Sequence, residues 1–216
     1  MNKSIIILAA GPPRKNRNRH LEVFDSKILI SKVIDTCSFK NLKTYITLNK
    51  NDIITHKFVK KNHPEVIILI PKDENWISTM EIILQNTNNK DVILVLGDEI
   101  KLKKKYIQDF IDTKYRFSLN KLKYPWGPKV IKSPLGKYEQ NGDEDLNIIL
   151  IGKEYKYLLT DKNIIENTKT MAMDWGVNNM DTGLWGGFHM LTIRNYLSNI
   201  VEYIYRNEDE KGLDND

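Results

Sequence analysis

The chain has 216 residues, of which 41% are hydrophobic, so it can bury a core as one domain and is too apolar for a disordered chain. No apolar run approaches the roughly 20 residues of a transmembrane helix. The single cysteine, Cys37, excludes an internal disulfide and a cysteine-rich metal site. A net charge of +5 is compatible with nucleic-acid binding, but Lys, Asn and Ile are abundant throughout, which indicates a general bias in composition rather than a basic patch. The N-terminal apolar run is at the short limit for a signal peptide and is followed by basic residues without a cleavage-like site, so we expect a cytoplasmic enzyme.

The first part of the chain alternates between strand and helix patterns. Short apolar runs rich in β-branched residues predict buried strands, and apolar residues at helical spacing predict the helices between them. The predicted strands cover 5–8, 43–48, 66–70 and 91–96, and the predicted helices cover 28–37, 52–62, 77–85 and 106–113. This alternation is typical of an α/β domain with a mostly parallel, Rossmann-like central sheet, helices on both faces and right-handed crossovers.

The sequence becomes rich in turn residues from about residue 115. Pro-Trp-Gly-Pro, Ser-Pro-Leu-Gly and Asn-Gly segments predict turns, with short strands at 130–132 and 146–151 between them. We therefore divide the chain into an α/β core at 1–114, a small lobe at 115–190 that completes the same domain, and a C-terminal segment at 191–216. In that last segment we expect an amphipathic helix over 191–206, followed by a frayed acidic tail.

Three polar or small-residue segments fall at predicted carboxyl ends of strands, which is where open parallel sheets bind their ligands. They are the Gly11 loop at 9–13, residues 71–79 and the Gly97-Asp98 pair. In the first of them, small side chains allow backbone N–H groups to face outward. The cations that follow it are Arg14, Lys15, Arg17 and Arg19. Backbone donors and nearby cations together suit a polyphosphate.

Asp98 is the strongest single candidate for a metal ligand. Its carboxylate follows a buried strand directly and stands on Gly97, so it should project into the crevice at the edge of the sheet. Mg²⁺ needs only one or two such carboxylates together with substrate phosphates. The alternative is a solvated turn aspartate, and Glu99 is a poorer ligand because adjacent side chains diverge.

The N-terminal segments resemble a known family signature. Leu8-Ala9-Ala10-Gly11 followed by basic residues, then Arg19-His20-Leu21, then Lys27-Ile28-Leu29-Ile30, is similar to the pattern of the nucleotidyltransferases that make sugar nucleotides and CDP-alcohols. That pattern is L-A-A-G-x-G-x-R, then Pro-Lys, then a G-K-P-L-I-like segment. The resemblance implies a GT-A-like fold and the transfer of a nucleoside monophosphate.

The sequence departs from this pattern at three positions. Pro13 replaces the second glycine and cannot donate an N–H to a phosphate. Asn18-Arg19 replaces Pro-Lys, and the loop arginine is matched by either Arg14 or Lys15. Arginine keeps the charge of the usual lysine but contacts a phosphate with a planar fork.

The resemblance also implies roles for individual residues. Arg19, with Arg14 or Lys15, would stabilise charge on the triphosphate. From its position directly after Arg19, rather than from the resemblance, we expect His20 to orient the guanidinium. Residues 78 and 79 would hold the base and ribose together with residues 71 and 72. The alternative is that the hydroxyl of residue 78 or 79 only caps the helix that begins there. Mg²⁺ would bind Asp98 and a late aspartate, for which Asp181 is the better match and Asp174 the alternative. The implied nucleotide-binding residues are Leu8, Ala9, Ala10, Gly11, Pro71, Lys72, Ser78 and Thr79.

Short single-domain chains with this signature often use CTP, so the resemblance favours CTP as the nucleotide and a small phosphorylated acceptor as the second substrate. The lobe offers Lys129 and Lys132 for the acceptor phosphate. Trp126 and Trp175 suit a cationic head group by cation–π attraction, and the alternative is that they form the core of the lobe.

Two other functions fit parts of the sequence. A metal-dependent glycosyltransferase of the GT-A type would use the same strand-end aspartate with a nucleotide sugar, but it leaves the loop at 8–15 unexplained. A basic nucleic-acid-binding protein should interleave aromatic and basic residues, and the densest basic run, 101–106, contains only Tyr106. We therefore expect neither a nucleic acid nor a membrane as a partner.

Overall fold

The computed structural model describes residues 3–11, 18–99, 102–113, 117–123, 129–133, 136–140, 143–174, 189, 192, 193, 196 and 202–207. Its strands are β1 Lys3–Ala9, β2 Val23–Phe24, β3 Lys27–Ile28, β4 Lys43–Leu48, β5 Ile67–Leu69, β6 Asp91–Leu96, β7 Phe117–Lys123, β8 Lys129–Ser133, β9 Gly136–Gln140, β10 Asp143–Ile151 and β11 Glu202–Asn207. Its helices are α1 Leu29–Cys37, α2 Ile53–Asn62, α3 Trp76–Asn86, α4 Lys104–Asp112 and α5 Lys162–Asp174, with 3₁₀ turns at Arg19–Leu21 and Lys153–Leu159.

Seven strands form the central sheet in the order β11-β7-β10-β6-β1-β4-β5. β1 pairs in parallel with both β4 and β6, β4 pairs in parallel with β5, and β11 does so with β7. Only β10 is antiparallel to its neighbours among these pairings. The predicted mostly parallel α/β sheet is therefore confirmed. Because β1, β4, β5 and β6 run the same way, their carboxyl ends lie along one edge.

Helices cover both faces of this sheet, and the alternation of side chains along β1 shows how. Ile5 and Ile7 belong to the core shared with α1 and α4, whereas Ile6 belongs to the core shared with α3 and α5. All three side chains are fully buried. Complete burial of an aliphatic side chain stabilises the fold by about 1.5–3 kcal/mol, so β1 is held firmly at the centre of the sheet.

Side chains define where two of the helices at this edge begin. Asp52 precedes α2 and its Oδ1 accepts a hydrogen bond from the Thr55 N–H at 3.1 Å. Asn75 precedes α3 in the same way, and its Oδ1 accepts from the Ser78 N–H at 2.8 Å. A polar cap of this kind satisfies one of the backbone donors that the first helical turn leaves without a partner.

The C-terminal segment differs from the sequence prediction. The helix predicted over 191–206 is wrong at its end, because Glu202–Asn207 is strand β11, paired with β7. Tyr203, Ile204 and Tyr205 are aromatic or β-branched and favour a strand, and the edge of β7 supplies the hydrogen-bonding partner. Helical backbone is present at residues 189, 192, 193 and 196.

The segment at 115–190 also holds more regular structure than its turn-rich sequence indicates. β7 and β10 join the central sheet, and α5 was not predicted. Of the two short strands that were predicted, the first is part of β8 and the second lies within β10.

Cys37 is buried at the end of α1, and burial raises the pKa of its thiol, which fits a structural cysteine. No helix within the described ranges has the length and apolar character needed to cross a membrane.

Candidate functional site

The ends of β1 and β6 meet at the carboxyl edge of the sheet. The Gly97 N–H donates a hydrogen bond to the Leu8 carbonyl oxygen at 2.9 Å. A Cβ atom at position 97 would lie 2.7 Å from the Ala9 Cβ and 3.1 Å from the Leu8 oxygen. Glycine is thus required at position 97 because the end of β1 approaches it closely.

Asp98 and Arg19 form an ion pair at this edge. Arg19 Nη2 lies 2.6 Å from Asp98 Oδ2, and the two side chains are 51% and 20% exposed. Arg19 opens the 3₁₀ turn Arg19–Leu21, while Asp98 follows β6. The structure therefore brings together the residue predicted to contact phosphate and the residue predicted to hold the metal.

His20 lies beside this pair. Burial lowers the pKa of His20, the nearby carboxylates of Asp98 and Asp52 act in the opposite direction, and the Arg19 guanidinium lowers the pKa further. The net effect is to keep the imidazole neutral near pH 7. A neutral His20 adds no positive charge next to Arg19, which leaves the guanidinium as the cation of this turn.

Two residues of this edge were missed by the sequence analysis. Thr47 Oγ1, on β4, accepts a hydrogen bond from the Ala9 N–H at 3.2 Å and so supports the chain where β1 ends. Asn49 follows β4 and is 3% exposed, and its buried Nδ2 has no hydrogen-bond partner within the described part of the chain. An unsatisfied buried donor costs about 1–3 kcal/mol unless a ligand or water completes it. Neither residue belongs to the family pattern. The signal that could have identified them is that both are polar and lie at the carboxyl end of a predicted strand.

Residues 71–79 occupy the next strand end. Pro71 is buried and Lys72 is exposed. Ser78 Oγ accepts from the Asp73 N–H at 3.1 Å, and Thr79 Oγ1 donates to the Asn75 carbonyl oxygen at 3.1 Å. Both hydroxyls thus organise the loop before α3 and its first turn. Their predicted contacts with the base and ribose stay a prediction.

Several predicted site residues lie outside the described part of the chain. They are Arg14, Lys15, Trp126, Trp175 and Asp181. Lys129 and Lys132 are on β8, where only the backbone is described, and Asp174 is the last residue of α5.

The chemistry of the donor set at this edge fits a hard divalent cation. Asp98 supplies carboxylate oxygen at a partly exposed strand end, and Mg²⁺ typically binds one or two carboxylates while keeping water or phosphate ligands. Within the described ranges, no group of three or more His, Cys, Asp or Glu side chains is arranged to hold a metal. A cation at Asp98 must use Oδ1 or take the place of the Arg19 guanidinium on Oδ2.

Comparison with known proteins extends this description of the fold. Neither a family model nor a curated protein sequence matches the chain. A CMP-2-keto-3-deoxy-manno-octonic acid synthetase complexed with CTP is 10% identical, with a TM-score of 0.60 over 96% of this chain and 90% of that chain. An inositol-1-phosphate CTP transferase from T. maritima is 14% identical, with a TM-score of 0.62 over 96% and 86% of the two chains.

A third structure, a 4-diphosphocytidyl-2C-methyl-D-erythritol synthase from Anaerococcus prevotii, is 15% identical, with a TM-score of 0.61 over 94% of this chain and 86% of that chain. These structures span nearly the whole of both chains, and at such low identity the likeness concerns the fold. The fold that the sequence resemblance implies is thus confirmed: this chain shares the α/β fold of these three structures.

Proposed function

We propose that this protein is a nucleotidyltransferase that transfers a nucleoside monophosphate, preferably CMP from CTP, to a small phosphorylated acceptor and releases pyrophosphate. An oxygen of the acceptor phosphate attacks the α-phosphorus in line. The new P–O bond forms as the bond between the α-phosphorus and the oxygen that bridges to the β-phosphate breaks, and the electron pair leaves with pyrophosphate. No covalent enzyme intermediate is needed, so the protein acts by positioning and by electrostatics.

The observation that supports this proposal most strongly is the contact of Arg19 with Asp98 beside the end of β1. A guanidinium, a carboxylate and a stretch of small residues lie together at the carboxyl ends of β1 and β6, and they suit phosphate oxygens, a cation and the nucleotide, respectively. Three solved structures with this fold add weight, because two of their names specify CTP and the third specifies a diphosphocytidyl product.

In this proposal, Arg19 acts with Arg14 or Lys15 on the triphosphate. Its positive charge counters the negative charge that builds up on the equatorial oxygens and on the leaving pyrophosphate. Asp98 and Asp181 would hold Mg²⁺, which when bound neutralises charge on the phosphates. Residues 8–11 and 71–79 would hold the nucleotide along the carboxyl edge.

The acceptor would bind on the side of residues 115–190. Lys129 and Lys132 are proposed to contact its phosphate, and Trp126 and Trp175 a cationic head group if it has one. Loss of acceptor affinity in the Trp126→Ala and Trp175→Ala variants would support this arrangement. Two normally folded variants with unchanged acceptor KM would refute it. We place the reaction in the cytoplasm, where nucleoside triphosphates are available.

A screen for pyrophosphate release tests the proposed function. Wild-type protein is incubated with Mg²⁺ and each of the four NTPs, in the presence and absence of phosphorylated sugars and alcohols. We expect release that needs both an NTP and an acceptor, and that is greatest with CTP. Nucleotide sugars are included as donors, because turnover with them and none with NTPs would instead indicate a glycosyltransferase.

Base preference is tested separately by isothermal titration with the four NTPs in the presence of Mg²⁺. We expect CTP to bind most tightly. Tighter binding of ATP or GTP would overturn the preference for CTP. Nucleotidyl transfer itself would still be tested by the pyrophosphate-release screen.

A further inference from the structure

The turn that carries Arg19 is tied to the start of α2 by the side chain of Asn18. Asn18 Nδ2 lies 3.0 Å and 3.2 Å from the two carboxylate oxygens of Asp52, and 2.8 Å from Thr55 Oγ1. A carboxylate can only accept hydrogen bonds, so the amide nitrogen, rather than the amide oxygen, must face Asp52. Hydrogen bonds to an ionised acceptor are the stronger kind, so this contact is a firm anchor.

The anchor on α2 does not depend on Asn18. Asp52 Oδ1 also accepts from the Thr55 N–H at 3.1 Å, which fixes the carboxylate as the N-cap of the helix. The loss of the Asn18 side chain would leave this cap in place. Removal of the tie should therefore release the turn without unwinding the helix to which it is attached.

On its other side, Asn18 belongs to the turn itself. Its carbonyl oxygen accepts from the Leu21 N–H at 3.1 Å, and the Arg19 carbonyl accepts from the Glu22 N–H at 3.3 Å. Arg19 then reaches Asp98 at 2.6 Å. One side chain thus connects the helix after β4 to the 3₁₀ turn, and the turn presents Arg19 to the end of β6.

Asn18 also stands where the resembling pattern has proline. Proline would restrict the backbone before the cation through its ring. Asn18 has φ −86° and ψ 91°, in the extended region, and its side-chain hydrogen bonds hold the chain from outside the backbone. The same position is therefore restrained by different means in this chain.

We propose that Asn18 is a positioning residue for Arg19, which it holds beside Asp98 at the carboxyl end of β6 through the Asp52 and Thr55 anchor. This inference rests on the proposed function for its effect on turnover, and on the structure alone for its effect on the turn. Two readouts follow: the rate of pyrophosphate release, and the amide hydrogen exchange of Leu21 and Glu22 in the nucleotide-free protein.

The Asn18→Ala variant should exchange faster at both amides and should lose about tenfold in kcat, with the nucleotide KM changed less. Asn18→Asp keeps the shape but sets two carboxylates against each other, so it should be at least as impaired. The double variant Asn18→Asp, Asp52→Asn restores a donor–acceptor pair with the roles reversed. Asparagine is also a good N-cap, so the double variant should recover both readouts relative to Asn18→Asp.

Asn62→Ala is the matched control, because Asn62 Nδ2 donates to the Phe58 carbonyl at 2.8 Å at the other end of α2. It should leave exchange at Leu21 and Glu22 and the kcat unchanged. Wild-type exchange in Asn18→Ala would overturn the inference whether or not the protein transfers nucleotides. Faster exchange with an unchanged kcat in an active enzyme would equally overturn it. An inactive wild-type protein would refute the proposed function, and the exchange data would still decide the structural tie.

Discussion

Arg19 and Asp98 hold each other across the end of the central sheet, with Nη2 2.6 Å from Oδ2. In the proposed reaction, these side chains have different partners: the guanidinium contacts phosphate and the carboxylate contacts a cation. The ion pair therefore neutralises both groups before the nucleotide binds. When the nucleotide and the cation bind, either Arg19 and Asp98 would have to separate, or each would have to contact its ligand while the ion pair stays in place.

The first prediction concerns Asp98→Asn. We expect turnover to be abolished, because an amide lacks the charge that a divalent cation requires, while thermal stability stays near that of the wild type. A partly exposed ion pair contributes only about 0–1 kcal/mol to folding. Pyrophosphate release and thermal unfolding measure the two effects.

Asp25→Asn is the control for Asp98→Asn, because Asp25 pairs with Lys32 at 2.8 Å on the surface. Asp25→Asn should change thermal stability as little as Asp98→Asn does, and it should keep full activity. Full activity in Asp98→Asn would remove Asp98 from the metal site.

The second prediction concerns Arg19. Arg19→Ala should lower kcat by about 10² and affect nucleotide affinity less, because positive charge is needed most where negative charge accumulates in the transition state. Arg19→Lys should recover part of this loss, since it restores a point charge without the planar fork. Steady-state kinetics with titration of the nucleotide separate the two effects. An unchanged kcat with a raised KM would make Arg19 a ground-state contact only.

The third prediction concerns Gly97, where a methyl group would meet the Ala9 Cβ at 2.7 Å. Gly97→Ala should destabilise the fold by about 1–3 kcal/mol and lower activity, because the ends of β1 and β6 must move apart. The double variant Ala9→Gly, Gly97→Ala removes the nearest clash and should regain part of the stability. Urea unfolding measures both variants, and a Gly97→Ala protein as stable as wild type would contradict the close approach.

The fourth prediction follows from His189, which is fully buried, contacts the Leu159 carbonyl through Nε2 at 2.9 Å and stacks edge-on against Trp76. Burial lowers the pKa of His189 to about 4 from its ordinary value of 6.5. Between these values the unfolded chain binds a proton that the folded chain does not. Stability is therefore complete above pH 6.5 and falls as the pH drops toward 4, by about 3 kcal/mol.

Urea unfolding between pH 4 and pH 7 measures this dependence. His189→Gln removes the titrating group and should flatten the slope of the free energy of unfolding against pH. An equal slope in the variant and the wild type would show that other groups cause the acid sensitivity.

The sequence predicts the α/β core well because the local signals there agree. β4 and β6 have the bounds that their apolar runs indicate, and Asp52 and Asn75 cap the helices that follow their loops. β11 was predicted as part of a helix, since its sequence does not reveal that β7 offers a free edge for pairing. Pairing with β7 therefore determines that this segment is a strand rather than a helix.

The candidate site was only partly predictable from the sequence, because it also depends on contacts between segments that are far apart in the chain. Gly97-Asp98 and Arg19 were found from strand ends and from a family pattern, but their contact depends on the pairing of β1 with β6. Asn18 appeared in the sequence only as a departure from the pattern. Its role depends on Asp52 and Thr55, which the fold brings close and the sequence does not.

The fate of the phosphorus atoms of CTP tests the central claim most directly. Wild-type protein is incubated with Mg²⁺, a pool of phosphorylated sugars and alcohols, and CTP labelled at either the α- or the γ-phosphorus. Nucleotidyl transfer predicts that the α label enters an acceptor product and the γ label appears in pyrophosphate. Release of the γ label as inorganic phosphate, or an α label that stays in CTP under all conditions, would contradict the account.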